Sequence, residues 1–415
     1  MAHRSASGVR RLLARRGDEA LRLLSELLAV SSPLGSSGLE AQQVVARYLQ
    51  EAGYAVSYTT DNPAQHACHE EYTAPPSGDN PVNLVALPPD LSGTRLALVA
   101  HIDTEPAGGG WTTPPTRCTV RDGRVYSLGA ADDKSGVAAA VVAAVTLLEL
   151  GEPAPLVMSV HGKGGGARGT LPMFTRSHPI DAVLYVHPAE TGRGLAEVKH
   201  ASRGVLDVAV RVSGWQGPPA EIGTPESANY ADGGDALEAA LRGIDRLRGT
   251  ALAGCAVNIG LLTAGAGVGL VPSQCDLQMR VLFDGRTSAA KLFPAIEAEL
   301  EKCIRDLSAA RGRFAVHLDQ LFHANPAITD WDSPLCCVVR QAIENETGSE
   351  PAAYSGHLAS DLRFPVRMHG IPAVGIGCLA GGFYGADEWV DVVDFKRLVA
   401  VIIATVQEWN RKEKS

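Results

Sequence analysis

The chain has 415 residues, 37 Lys+Arg against 46 Asp+Glu, a formal net charge of −9 and 45% hydrophobic residues. With 20% charged and 5% aromatic residues the composition is that of a folded globular protein, and it excludes a disordered chain, a collagen and a coiled coil. The acidic balance leaves no basic excess for phosphates, so it argues against nucleic acid or a membrane surface as partner and favours a small-molecule substrate.

The length predicts about two domains. No apolar run approaches the roughly 18 residues of a membrane span. Residues 1–30 are Arg-rich, but Leu12, Leu13, Leu21, Leu23, Leu24, Leu27 and Leu28 recur at helical spacing. That predicts an amphipathic helix rather than a secretory signal, and a cytoplasmic protein. The polar, Pro-containing stretch 61–80 reads as a mobile flap. The eight cysteines contain no C-x-x-C pair and read as reduced, buried small hydrophobes.

Residues 96–100, 156–160, 182–186 and 373–376 are apolar at nearly every position, as strands covered on both faces are. Between the first two, 132–150 is Ala-rich, acidic at its start and stopped by Gly151, which predicts a buried helix and a βαβ unit. From 205 the text alternates. Strand 205–213, helix 235–247, strands 256–263 and 274–283, helix 289–307 and strand 314–321 give the β-α-β-β-α-β order of a split βαβ, ferredoxin-like domain. The predicted organisation is α/β: a mostly parallel sheet with helices on both faces, residues 1–203 and 325–415, interrupted by an inserted α+β domain at 204–324.

Ligands of open α/β sheets bind beyond the carboxyl ends of the strands. There the sequence places His101 and Asp103, the run from His161 to Gly166 with Lys163, His187 and Glu190, and Tyr384 with Asp387 and Glu388. Asp132 and Asp133 open the buried helix. A ligating imidazole needs its other nitrogen held by an acceptor, a task within reach of Asp103.

The segments HIDTEPAGGGWTTPP and DGRVYSLGAADDKSGVAAAV resemble the M20 family of metallopeptidases and amidohydrolases, which includes carboxypeptidase G, acetylornithine deacetylase and succinyl-diaminopimelate desuccinylase. NIGLLTAGAGVGLVPSQCDLQMRV is similar to the family's lid and dimerisation domain, and GIPAVGIGCLAGGFYGADEWVDVVDF to its last strand and H-T-x-x-E segment. The resemblance implies a zinc-exopeptidase-like fold, a homodimer and a small substrate bearing a carboxylate. It matches His101 to the first-metal histidine, Asp103 to the acid that orients it, Asp132 to the carboxylate bridging two zinc ions and Arg280 to the lid arginine gripping a substrate carboxylate. The third ligand of the first metal falls at His187 or Glu190. His357 and Asp361 lie where the family places a substrate-binding segment.

The chain then departs from the family. Lys163 and Gly164 stand where the resemblance places a catalytic glutamate and a second-metal glutamate, and Tyr384 replaces the last metal histidine. The second metal site has thus lost both private ligands, leaving one zinc ion per chain at most. A lysine there restores about the charge removed with one ion and one carboxylate. A lowered pKa would let Lys163 act as base, Tyr384 would donate a hydrogen bond, and Glu105 is a replacement acid or base. The expected function is a divergent, metal-dependent enzyme acting on an amide or peptide-like bond of a small amino-acid derivative, by hydrolysis or by amide formation, cyclisation or transfer. The alternative is a catalytically silent, dimeric ligand- or partner-binding relative.

Overall fold

The computed structural model describes residues 6–90, 95–215, 235–267, 270–311 and 313–412; the first five residues of the predicted N-terminal helix lie outside them. The chain divides into two compact units, residues 1–202 with 327–415, and residues 203–326.

An eight-stranded sheet forms the first unit, in the order Ala55–Thr59, Asn83–Leu87, Leu156–Val160, Leu96–His101, Ala182–Val186, Ala373–Ile376, Glu197–Lys199, Ala352–Tyr354. The four strands from Leu156–Val160 to Ala373–Ile376 run parallel. Successive side chains leave a strand by opposite faces, so each of these strands feeds two cores. Leu96, Leu98, Leu184 and Val186 pack with Leu23, Leu24 and Leu27 of helix Ala6–Leu28 and with helices Ser135–Glu149, Pro334–Thr347 and Val392–Lys412. Ala97, Val99, Met158, Val183 and Tyr185 pack on the other side against Leu171, Phe174 and Phe364. That double burial is why the four runs read as apolar throughout.

Helix Ser135–Glu149 is buried at every position from Ser135 to Leu147. It begins three residues later than its acidic start suggested. Asp132 and Asp133, joined by a cis peptide bond, have non-helical dihedrals and precede the helix. The stretch 61–80 is fastened rather than free. Glu71, fully buried, pairs with Arg363 and Arg367, and Asp61 takes a two-pronged contact from Arg176. All eight cysteines are free, but only Cys275, Cys303, Cys336 and Cys378 are buried, so the expectation of buried hydrophobes holds for half of them.

In the second unit four strands lie in the order Ala256–Ala264, Gln274–Phe283, Ala201–Ser213, Ala315–Ala324, all antiparallel. Helices Ala236–Gly249 and Ala289–Arg311 join Val208, Val210, Leu277 and Met279 in one core. Numbered by sequence the strand order is 2-3-1-4, the split βαβ topology. Among the described residues no helix is long and apolar enough to cross a membrane.

Candidate active site

Asp132 is the hub of the site. Its Oδ1 lies 2.8 Å from His101 Nε2 and 3.1 Å from His187 Nε2. Its Oδ2 accepts from the Lys163 ammonium. All four side chains are buried. His101 ends one parallel strand, while Lys163 and His187 follow its two neighbours. Three strand ends therefore aim at the one carboxylate delivered by the turn before helix Ser135–Glu149.

That turn is held by Glu388. Its carboxylate accepts the backbone N–H of Gly129 (3.0 Å), Ala131 (2.6 Å) and Asp132 (2.8 Å). Glu388 reaches the turn because Trp389–Asp391 pairs antiparallel with Arg124–Tyr126. Asp103 performs two tasks. The His101 Nδ1 lies 3.0 Å from the Asp103 carbonyl and 3.4 Å from its carboxylate, which fixes the ring and turns Nε2 to Asp132. The same carboxylate accepts the N–H of Gly162 (2.9 Å) and Lys163 (3.1 Å), pinning the glycine loop. Gly164, Gly165 and Gly166 all have φ near +70° to +80°, a left-handed run that only glycine adopts cheaply. Asp361 lies beneath this loop, bonded to Thr170 Oγ1 at 2.7 Å; a Cβ on Gly162 would stand 2.6 Å from its carboxylate.

The charges follow from this packing. Burial works against ionised Asp132, yet Lys163 and the two imidazoles hold it well below the usual carboxylate range. Burial pushes Asp133 well above that range, opposed by His101 and reinforced by Asp132. Burial alone would lower Lys163, but Asp132, Glu105 and Asp103 outweigh it and keep the ammonium above its ordinary value. Lys163 is thus held protonated, which corrects the expectation that it acts as a base. Burial, and then the charge of Lys199, bring His187 down to about 3, so its ring is neutral. Burial lifts Glu388 to about 7 and Asp361 to about 6.

These residues fit a cation. Among the described residues His101, Asp133 and His187 bring ligand atoms within 4.8 Å of one another. Asp132 is the better placed of the two aspartates, because its Oδ1 lies between both imidazole nitrogens. One oxygen of Asp133 already accepts the His101 N–H, while its other oxygen is buried with no hydrogen-bond partner. Two imidazoles and a carboxylate suit zinc, with room for an open position.

The remaining predicted residues separate. Glu105 comes to 3.6 Å from the Lys163 ammonium. Tyr384 meets Lys163 through its ring face, with Nζ 4.6 Å from the centroid, rather than as the hydrogen-bond donor expected. Glu190 pairs with His357 at 3.0 Å, and this pair lies beside the cluster with the His357 ring 5.3 Å from that of His187. Of the two candidates for third ligand, His187 is the one that faces Asp132. Arg280 belongs to the second unit and forms a two-pronged pair with Asp207. Lys199 carried no sequence signal: fully buried, it lies 3.1 Å from His187 Nδ1. In the sequence Asp133 stands at the start of the buried helix, but without a role of its own. Glu388 stood in the rim text, but its role as a strut is visible only in three dimensions.

The model of peptidase family M20/M25/M40 matches residues 97–408. A succinyl-diaminopimelate desuccinylase of Methylobacterium radiotolerans is 28% identical over 398 residues, covering 92% of this chain and 95% of that protein. Among solved structures, a tripeptidase of Staphylococcus aureus superposes with a TM-score of 0.73 at 19% identity, covering 95% of this chain and 99% of that one. Human carnosine dipeptidase 1 gives a TM-score of 0.68 at 15% identity, with 97% and 98% covered. The zinc-peptidase-like α/β sheet, the cluster at its strand ends and a match over three quarters of the length agree: the chain belongs to peptidase family M20/M25/M40, whose members hydrolyse amide and peptide bonds.

Proposed function

We propose that the protein is a divergent M20 enzyme that acts on an amide or peptide-like bond of a small, carboxylate-bearing amino-acid derivative, using one zinc ion per chain. The observation that carries this reading is the split of Asp132: two imidazoles on Oδ1 and an ammonium on Oδ2. His101, Asp132 and His187 would hold the ion, with Asp103 as the positioning acid. A zinc ion bound there supplies Lewis-acid polarisation of the scissile carbonyl. Lys163, fixed and protonated, stabilises negative charge developing on the substrate oxygen. Glu105, beside Lys163 at the cleft edge, takes the proton from an attacking water and returns it to the leaving nitrogen. His357, paired with Glu190 beside His187, belongs to the substrate side of the cleft, and Asp361 supports it from beneath the glycine loop. Arg280 remains the residue that the resemblance assigns to a substrate carboxylate; within the second unit its fork is taken by Asp207. A homodimer and a cytoplasmic setting complete it.

A second reading keeps the pocket but not the hydrolysis. A lysine where relatives of the resemblance carry a glutamate favours amide formation, cyclisation or transfer, in which water activation is a handicap. Metal analysis and turnover of N-acyl amino acids test the proposal together. The expected result is one tightly bound zinc per chain with hydrolysis slowed by about 10²–10⁴-fold against a two-zinc relative. Two zinc ions with ordinary rates would make it a conventional peptidase. A chain without metal or turnover would be the silent binding protein.

A further inference from the structure

We propose that Lys199 is a positioning residue that sets His187 for the metal ion. The inference rests on the metal reading above. Lys199 is fully buried, and an ammonium so placed must be compensated by close partners. Its Nζ donates to the His187 carbonyl and to the Pro188 carbonyl at 3.2 Å. His187 Nδ1 faces that same Pro188 carbonyl. With a metal ion on Nε2 the ring proton would sit on Nδ1, where the Pro188 carbonyl can accept it. The 3.1 Å approach of Nζ to Nδ1 is that of two donors converging on one acceptor.

A metal-bound imidazole keeps its orientation through what holds its other nitrogen. For His101 that acceptor is the Asp103 carbonyl at 3.0 Å, with the Asp103 carboxylate 3.4 Å away. For His187 it is the Pro188 carbonyl, and a carbonyl at a strand end is only as fixed as its own partners. Lys199 is that partner. Strand Ala373–Ile376 is shaped around it: a Cβ on Gly375 would stand 2.6 Å from Lys199 Cε. The His187 ring is also stacked on Tyr185, centroids 5.2 Å apart and planes 12° from parallel, which holds its plane but not its rotation within that plane.

The test is zinc titration of the metal-free full-length protein against a chromophoric chelator, with thermal midpoints alongside. Lys199→Met is expected to weaken zinc about 10–100-fold. It should also alter the visible bands of the cobalt(II)-substituted protein, which a lysine that only stiffens the fold would leave alone. Gly375→Ala, which keeps the ammonium and crowds it, should weaken zinc in the same direction by a smaller factor. Wild-type affinity and spectrum in Lys199→Met would overturn the role while leaving the metal site standing. If that variant does not fold, unchanged zinc affinity in a folded Gly375→Ala overturns it. A wild-type chain that takes up no zinc overturns both the role and the metal reading.

Discussion

The two oxygens of Asp132 face different worlds. On the Oδ1 side, His101 and His187 present nitrogen atoms that would hold an exchangeable divalent ion. On the Oδ2 side, Lys163 presents a cation that is covalently part of the chain, backed by Glu105 and the ring of Tyr384. Both sides neutralise the same buried charge. On the proposed reading, only the first would exchange its cation, open a coordination position or lose activity to a chelator. On that reading, Gly164 and Tyr384 in place of a second-metal glutamate and histidine would remove one Lewis acid from the chemistry, while the Lys163 ammonium takes up the charge of Asp132 Oδ2.

The largest test of that asymmetry removes the exchangeable side. His101→Ala should take zinc from about one per chain to none measurable after dialysis, because ligand loss in a three-ligand site leaves too few donors. Atomic emission reads this directly, and retention of one zinc would place the ion elsewhere. Removing the fixed side should act on folding rather than on metal count. Lys163→Met leaves a buried carboxylate facing no ammonium, which costs about 3–5 kcal/mol in denaturant unfolding. A loss below about 1 kcal/mol would mean that the ion pair is solvated and that Oδ2 is available to a second metal.

That split was only half legible in the sequence. Strand-end histidines announced the Oδ1 side, because buried parallel strands read as continuous apolar runs and whatever follows them lies at the ligand edge. His187 and Glu190 could not be separated by spacing, since both follow the same strand; the fold turns His187 to Asp132 and gives Glu190 to His357. The replaced residues Lys163 and Tyr384 were visible, but the protonation of Lys163 was not, because it depends on how close Asp132 and Glu105 come. Lys199 and Glu388 act through backbone atoms of other segments; Lys199 stood in no motif, and Glu388, though it matches the E of the H-T-x-x-E segment, gave no hint there of the turn it holds.

The seat of Lys163 offers a pH-dependent test. Burial raises the Asp361 carboxyl from 3.8 to about 6, so the folded chain holds this proton more tightly than the unfolded chain. The resulting stability is full below about pH 4 and is lost as pH rises through about 6, an effect on the order of 3 kcal/mol. Asp361→Asn keeps the bond from Thr170 but cannot ionise, so it should reduce the slope of that stretch of the stability curve to the part that Glu388, itself raised to about 7, contributes. A wild-type slope surviving in the variant would assign the titration to another carboxyl.

The smallest expected effect concerns Tyr384, whose side of the comparison is the least buried. Its contact with Lys163 is through the ring face, at 61% exposure of the residue. Tyr384→Phe should therefore leave stability unchanged, whereas Tyr384→Leu should cost about 0.5–2 kcal/mol, the range of a cation–π contact. In the Lys163→Met background the leucine change should cost less, since the ammonium it served is gone; a double-mutant cycle isolates that difference. Equal costs in both backgrounds would show Tyr384 packing against its neighbours rather than against the ammonium, and would leave Lys163 held by carboxylates alone.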